Sequence, residues 1–227
     1  MKLNNEDALI YLYLHKLSLY SVLLPLVVGL INYKYLEVNS KFVLLILLFA
    51  SISQLSPEFY QNKAGNWLIY NVYTIIDTLF WGLIFWLNQK SATIRTFIFL
   101  IWLSHLSISL YFFYQYGIAY RFYYELVCLD SLVQVVWVLT FFYSIYYNEN
   151  NKRLEYYPMF WFSMGVLLYT PSTYFLFAYY SQIRLSLTRE YQYLWRLHDL
   201  MNGLLYVSLS IGMWVNRYRF KKNIYEH

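Results

Sequence analysis

The chain has 227 residues, 60% of them apolar and only 13% charged. Soluble domains run near one quarter charged, so this composition argues against a soluble globular fold. It argues equally against disorder, which needs low hydrophobicity and high charge. The net charge of +5 reads as membrane topology and not as a nucleic-acid surface, because the basic residues fall in loops and at the C-terminus. The single cysteine, Cys128, leaves no room for an intrachain disulfide or a multi-cysteine metal site.

A spanning helix needs about 20 mostly apolar residues. Seven stretches meet or approach that length: 17–33, 42–56, 67–87, 96–116, 126–147, 159–180 and 197–215. The first follows Lys16 and is not followed by a small-x-small cleavage site, so it reads as a retained helix. The second is short and is expected to run past Pro57. Trp, Tyr and Phe gather at the ends of the stretches, as interfacial belts do. Connections are short. The longest, 181–196, has spaced apolar residues and three Arg and reads as an interfacial amphipathic helix. The expected fold is therefore all-α and integral to the membrane, a single transmembrane domain over residues 1–227 built as a seven-helix bundle.

Lys and Arg counts set the orientation. The N-terminus and loops 2, 4 and 6 carry seven, and loops 1, 3 and 5 with the tail carry ten. The positive-inside rule then puts the N-terminus outside and the C-terminus in the cytoplasm, with the chain in the cytoplasmic (inner) membrane.

Two segments read alike. Residues 70–77 and 195–202 share the pattern aromatic, x, aliphatic, Tyr or His, x, two apolar residues, then Asp77 or Asn202. Upstream, Ser56-Pro57-x-x-Tyr60 matches Thr170-Pro171-x-x-Tyr174, with loop 6 absorbing a difference in spacing. Both matches pair helices 1–3 with helices 5–7 and leave helix 4 as a linker. This is a 3+1+3 pseudo-repeat about an axis along the membrane normal, the plan of the sugar exporters. A chance match of two aromatic-rich helices is the alternative. The Pro-Gln dipeptide of those exporters is absent, so the likeness is one of architecture only.

Ionisable residues inside spans cost roughly 2.5–3.5 kcal/mol each and usually face a cavity or a partner. Asp77 lies ten residues past Trp67, about 15 Å into a core of about 30 Å. Tyr73, Thr74 and Trp81 share its face. Asp130 and Gln134 are one turn apart in helix 5, as are His105 and Ser109 in helix 4. His198, Asn202 and Tyr206 form one stripe of helix 7, with Asp199 beside it. The ligand-binding candidates are thus Asp77, Tyr73, Trp81, Asp130, Gln134, His105, His198, Asn202 and Tyr206. They concentrate in the outer half and middle, which points to an outward-facing cavity among helices 3, 5 and 7. Interhelical hydrogen bonds that merely hold the bundle are the competing reading.

Several chemistries lack their residues. No Lys lies within a span, which excludes a retinal Schiff base. His-Glu-x-x-His, a Gly-rich phosphate loop and Gly-x-Ser-x-Gly are absent. Ceramidase-type hydrolases hold zinc with three His, but only His105 and His198 lie in spans, and Asn202 stands where a second helix-7 His would be. A His/Asp metal site from His105, Asp77, Asp130 and His198 is the remaining alternative. The first expectation is no metal, no cofactor and no catalytic residue, which favours a non-enzyme without excluding an enzyme.

The whole chain resembles a group of small seven-transmembrane-helix proteins of Bacteroidetes. The resemblance rests on Tyr73-Thr74 with Asp77, on Asp130, on Phe160-Trp161 with Gly165, and on His198 with Asn202. The chain departs from the pattern in using Asp where the group has Glu, and in Gln54 where helix 2 often has Glu. The resemblance implies a set of residues and not a reaction.

The first functional expectation is a receptor-like or sensor-like protein with an outward-facing polar and aromatic pocket for a small or lipidic ligand. The tail after Val215 is too short to signal alone, so a partner such as a histidine kinase is expected. The bilayer is the other partner, a homo-oligomer is compatible with this reading, and nucleic acid is not expected. The alternative is a small-solute transporter of 3+1+3 plan, which needs a polar path on the inner side as well. A membrane-embedded lipid hydrolase ranks third, since neither a reactive group nor a metal is evident.

Overall fold

The structure, a computed structural model, describes residues 5–59, 63–148, 153–183 and 189–225, with side chains described within 12–57, 65–147, 153–179 and 193–218. Among these residues the regular structure is wholly helical. The helices are α1 (Asn5–Ser21), α2 (Leu23–Ile31), α3 (Val38–Phe59), α4 (Lys63–Leu87), α5 (Ala92–Tyr116), α6 (Tyr124–Asn148), α7 (Pro158–Ile183) and α8 (Arg189–Tyr225), with short 3-10 turns at Tyr33–Tyr35 and Leu154–Tyr156.

Local chemistry explains the breaks. Pro25 has no N–H for the carbonyl of Ser21 and its ring crowds that carbonyl. The helix accordingly stops at Ser21, turns at Val22 and resumes as α2. Pro57 withholds the same bond from the carbonyl of Ser53, and the Ser56 hydroxyl supplies it at 2.9 Å, so α3 continues past the proline as expected. The chain leaves α5 through Gly117, whose φ of 83° suits a residue without Cβ and whose N–H donates to the carbonyl of Phe113 at 2.9 Å.

The expected interfacial helix in loop 6 is not a separate element. Residue 183 still belongs to α7 and residue 189 already belongs to α8, while residues 184–188 lie outside the described residues. No Gly or Pro occurs in 181–196 to stop either helix, so both run into the connection.

Helices joined by short connections pack as neighbours. Going round the bundle, α1 and α2 pack on α8 and α3, α3 on α4, α4 on α6, α6 on α7, and α7 on α8, which closes a ring. The fifth helix lies outside, docked on α4 and α6. Only 17% of the α5 span is buried, against 44% for α3, α4 and α6. Its buried residues Ile98, His105 and Ser109 form one stripe at helical spacing, the stripe that meets the ring. Close approach depends on small residues. A Cβ at Gly82 would lie 2.6 Å from Trp102 of α5. One at Gly212 of α8 would lie 2.3 Å from Phe162 of α7.

Among the described residues five segments are long and apolar enough to cross a membrane: Leu12–Ile31, Val38–Pro57, Gly65–Leu87, Ala92–Tyr116 and Tyr124–Tyr147. Helices α7 and α8 are long enough as well, and their inward faces bury Ser163, Thr170, Ser172 and Thr173 from α7, and Asp199, Asn202, Ser210 and Asn216 from α8.

The apolar core fills one end of the ring. Leu44 and Leu47, Trp81 and Phe85, Trp137 and Phe141, Phe162 and Val166, and Leu209 and Met213 pack there into one cluster. Each pair comes from the half of its helix that adjoins loops 1, 3 and 5 or the C-terminal tail. The halves that adjoin loops 2, 4 and 6 do not close in the same way.

Candidate ligand-binding cavity

At that second end the ring encloses a cavity of about 440 Å³, within the range of roughly 300–1,000 Å³ typical of small-molecule sites. Every ring helix except α2 contributes to its wall, and α5 contributes nothing. Its polar floor comes from Asp77 and Thr74 on α4, Asp130, Ser131 and Gln134 on α6, Gln54 on α3, and Asn202 on α8. Its upper wall is aromatic, with Trp67, Tyr70, Phe122, Phe177 and Trp195.

The floor is organised by Gln134. Its side-chain amide donates one hydrogen to Asp77 Oδ2 at 2.7 Å and the other to Asp130 Oδ2 at 2.8 Å. The Tyr73 hydroxyl lies 3.1 Å from Asp77 Oδ1, and the Thr78 hydroxyl lies 2.7 Å from Asp130 Oδ1. All four carboxylate oxygens therefore face a neutral polar group. The Thr78 hydroxyl also lies 2.9 Å from the Thr74 carbonyl, so its one hydrogen goes either there or to Asp130, and the arrangement accommodates a pair that carries one negative charge or two. Among the described residues no Lys or Arg lines the cavity.

Asn202 joins α8 to α1. Its Nδ2 donates to Ser18 Oγ at 3.0 Å, with the Ser18 carbonyl at 3.4 Å. Its Oδ1 has no hydrogen-bond partner among the described residues, although Asn202 is only 6% exposed. His198 lies one turn away, its Nδ1 3.4 Å from Thr173 Oγ1 and its ring 5.2 Å from that of Tyr169 and 5.7 Å from that of Trp195. At the rim, His15 Nδ1 is 3.3 Å from both carboxylate oxygens of Asp199.

Six of the nine residues singled out from sequence line this cavity: Tyr73, Asp77, Asp130, Gln134, His198 and Asn202. Tyr206 stands one step behind, its hydroxyl 2.5 Å from Nε2 of the lining residue Gln54. Trp81 lies below the floor, packed against Phe85 at 5.8 Å between ring centroids. The lining does not include His105, which sits on the stripe of α5 that docks against the ring. Its spacing to Ser109 gives a hydroxyl bond to the His105 carbonyl at 3.0 Å and no side-chain pair. Thr78, Ser18, His15 and Tyr169 went unread in the sequence. Helix periodicity offered a signal only for Thr78, four residues past Thr74.

Among the described residues no three His, Cys, Asp or Glu side chains converge as metal ligands would. No family model, no curated protein and no solved structure matches the chain.

Proposed function

We propose that this chain is a receptor-like membrane protein of seven spans that holds a small or lipidic ligand in the cavity above Asp77 and acts through a partner protein. The single observation that carries this reading is the asymmetry of the ring. One end gathers polar and aromatic side chains around a cavity, and the other is plugged by Trp81, Phe85, Trp137, Phe141 and their neighbours. A site open to one side and sealed on the other suits detection of a ligand more than its passage.

In this reading α1 with α2 counts as one span, α7 and α8 supply the last two, and the cavity opens outward with the C-terminus in the cytoplasm. The excess of Lys and Arg at the plugged end supports that orientation. The inner membrane, a partner such as a histidine kinase and kinship with the Bacteroidetes seven-helix group belong to the same proposal.

Transport is the second reading, and a specific observation favours it. The ring order is what a 3+1+3 plan produces when its linker helix lies outside. The sequence-matched pairs Tyr70 and Trp195, Tyr73 and His198, and Asp77 and Asn202 all line the one cavity. Of the second match, Tyr60 lies outside the described residues. A transporter would have to open the apolar plug, whereas a receptor only has to transmit strain through it.

One assay tests the orientation and another separates the two readings. A C-terminal enzyme fusion active only in the cytoplasm supports the orientation, and activity only outside overturns it. For purified protein, ligand-dependent stabilisation without uptake into proteoliposomes supports the receptor. Uptake abolished by Asp77→Asn supports the transporter.

A further inference from the structure

We propose that the cavity takes a protonated primary or secondary amine with an apolar or aromatic body. The proposal rests on reading the cavity as a ligand site and names the class of ligand.

Asp77 Oδ2 and Asp130 Oδ2 both lie within 2.8 Å of one nitrogen, so the carboxylates stand no more than ~5.5 Å apart. At that separation two unit charges repel appreciably even at an effective dielectric of about 20. The neutral groups around them supply at most one donor to each oxygen, about half of what a carboxylate can accept, and bring no compensating charge. The third acid, Asp199, has His15 beside it; among the described residues no basic side chain pairs with Asp77 or Asp130. The centre of the cavity thus lacks one cation.

A bare proton could neutralise the pair, but it would need no cavity of about 440 Å³ and no rings. Two further features fit an ammonium group with a body attached. Asn202 lines the same cavity with its nitrogen held by Ser18, which leaves a buried oxygen without a donor. An N–H group of a ligand supplies such a donor, and a quaternary ammonium does not. Above the floor, Trp67, Tyr70, Phe122 and Trp195 present rings that attract cations and pack an apolar chain. An anionic ligand would meet three carboxylates and, among the described lining residues, no Lys or Arg.

The experiment uses the full chain in nanodiscs of phosphatidylcholine, with binding read by calorimetry and thermal stability. The ligands are tryptamine and dodecylamine, their uncharged counterparts tryptophol and dodecanol, the anions indole-3-propionate and dodecanoate, and the trimethylated form of each amine. The expected result is that at least one amine binds ten-fold or more tighter than its alcohol, its anion and its trimethylated form. Asp77→Asn and Asp130→Asn are each expected to erase most of that preference. The ranking in the unmodified protein needs no variant, so a misfolded variant does not obscure it. Equal binding of amine and alcohol overturns the amine and leaves the cavity as a ligand site. Preference for the anion, or equal binding of the trimethylated amine, also overturns it. If none of the eight compounds binds, both the amine and the ligand-site reading fall.

Discussion

Replacing Gln134 with Leu tests how the two carboxylates are held. The substitution keeps nearly the same volume and removes both donors that bridge Asp77 and Asp130, at 2.7 and 2.8 Å. Two magnitudes compete. If Gln134 is ordinary interhelical glue, membrane double-mutant cycles put each bond near 0.6 kcal/mol, so the loss is about 1 kcal/mol. If it serves ionised carboxylates, each bond is worth about 1.5–3 kcal/mol and the loss is roughly 3–6 kcal/mol. The assay is unfolding in mixed micelles, followed by circular dichroism. The account predicts the larger loss. It also predicts that Asp77→Asn in the Gln134→Leu background recovers at least half of it, because one charge then remains where two repelled each other. A loss under about 1 kcal/mol, or no recovery in the double variant, refutes the reasoning.

Other consequences follow from the packing. At Gly212 a Cβ would meet Phe162 at 2.3 and 2.6 Å, and Phe162 is fully buried with no room to swing, so Gly212→Ala should cost about 1–3 kcal/mol of unfolding free energy. Gly203, with nothing within 4 Å of its would-be Cβ, is the control: Gly203→Ala should be neutral or stabilise by up to about 1 kcal/mol. Ser18→Ala removes the hydroxyl that receives Asn202 Nδ2 and should cost about 0.6–1.7 kcal/mol in the same assay. His15 is 45% exposed, so its link to Asp199 should contribute little: His15→Ala should change stability by less than about 1 kcal/mol.

The helices were legible because a span needs a run of about 20 apolar residues, and such runs leave an unmistakable trace. Contacts within one helix were equally legible: Tyr73 with Asp77 and Asp130 with Gln134 are fixed by the i, i+4 geometry alone. Contacts between helices were not. Gln134 reaching Asp77, Thr78 reaching Asp130 and Asn202 reaching Ser18 depend on which helices adjoin and how each is rotated. His105 shows the same limit. A polar residue on a mostly apolar helix turns inward, but only packing decides whether inward means a cavity or, as here, the seam where α5 docks. The rings of Trp67, Phe122, Phe177 and Trp195 lie near the helix ends, where an interfacial belt looks the same in sequence. The break before α2 was readable from Pro25. That α7 reaches Ile183 and α8 already begins at Arg189 accords with the absence of Gly or Pro in 181–196.

The central claim is that a water-accessible cavity reaches the Asp77–Gln134–Asp130 cluster from the outer face. Ser131 lines that cavity and tolerates a thiol of nearly its own size. In a Cys128→Ser background, Ser131→Cys can be treated with a small charged methanethiosulfonate on right-side-out and on inverted vesicles. The account predicts modification in right-side-out vesicles only, slowed by a bound amine. Modification in inverted vesicles only, or in neither, would contradict it.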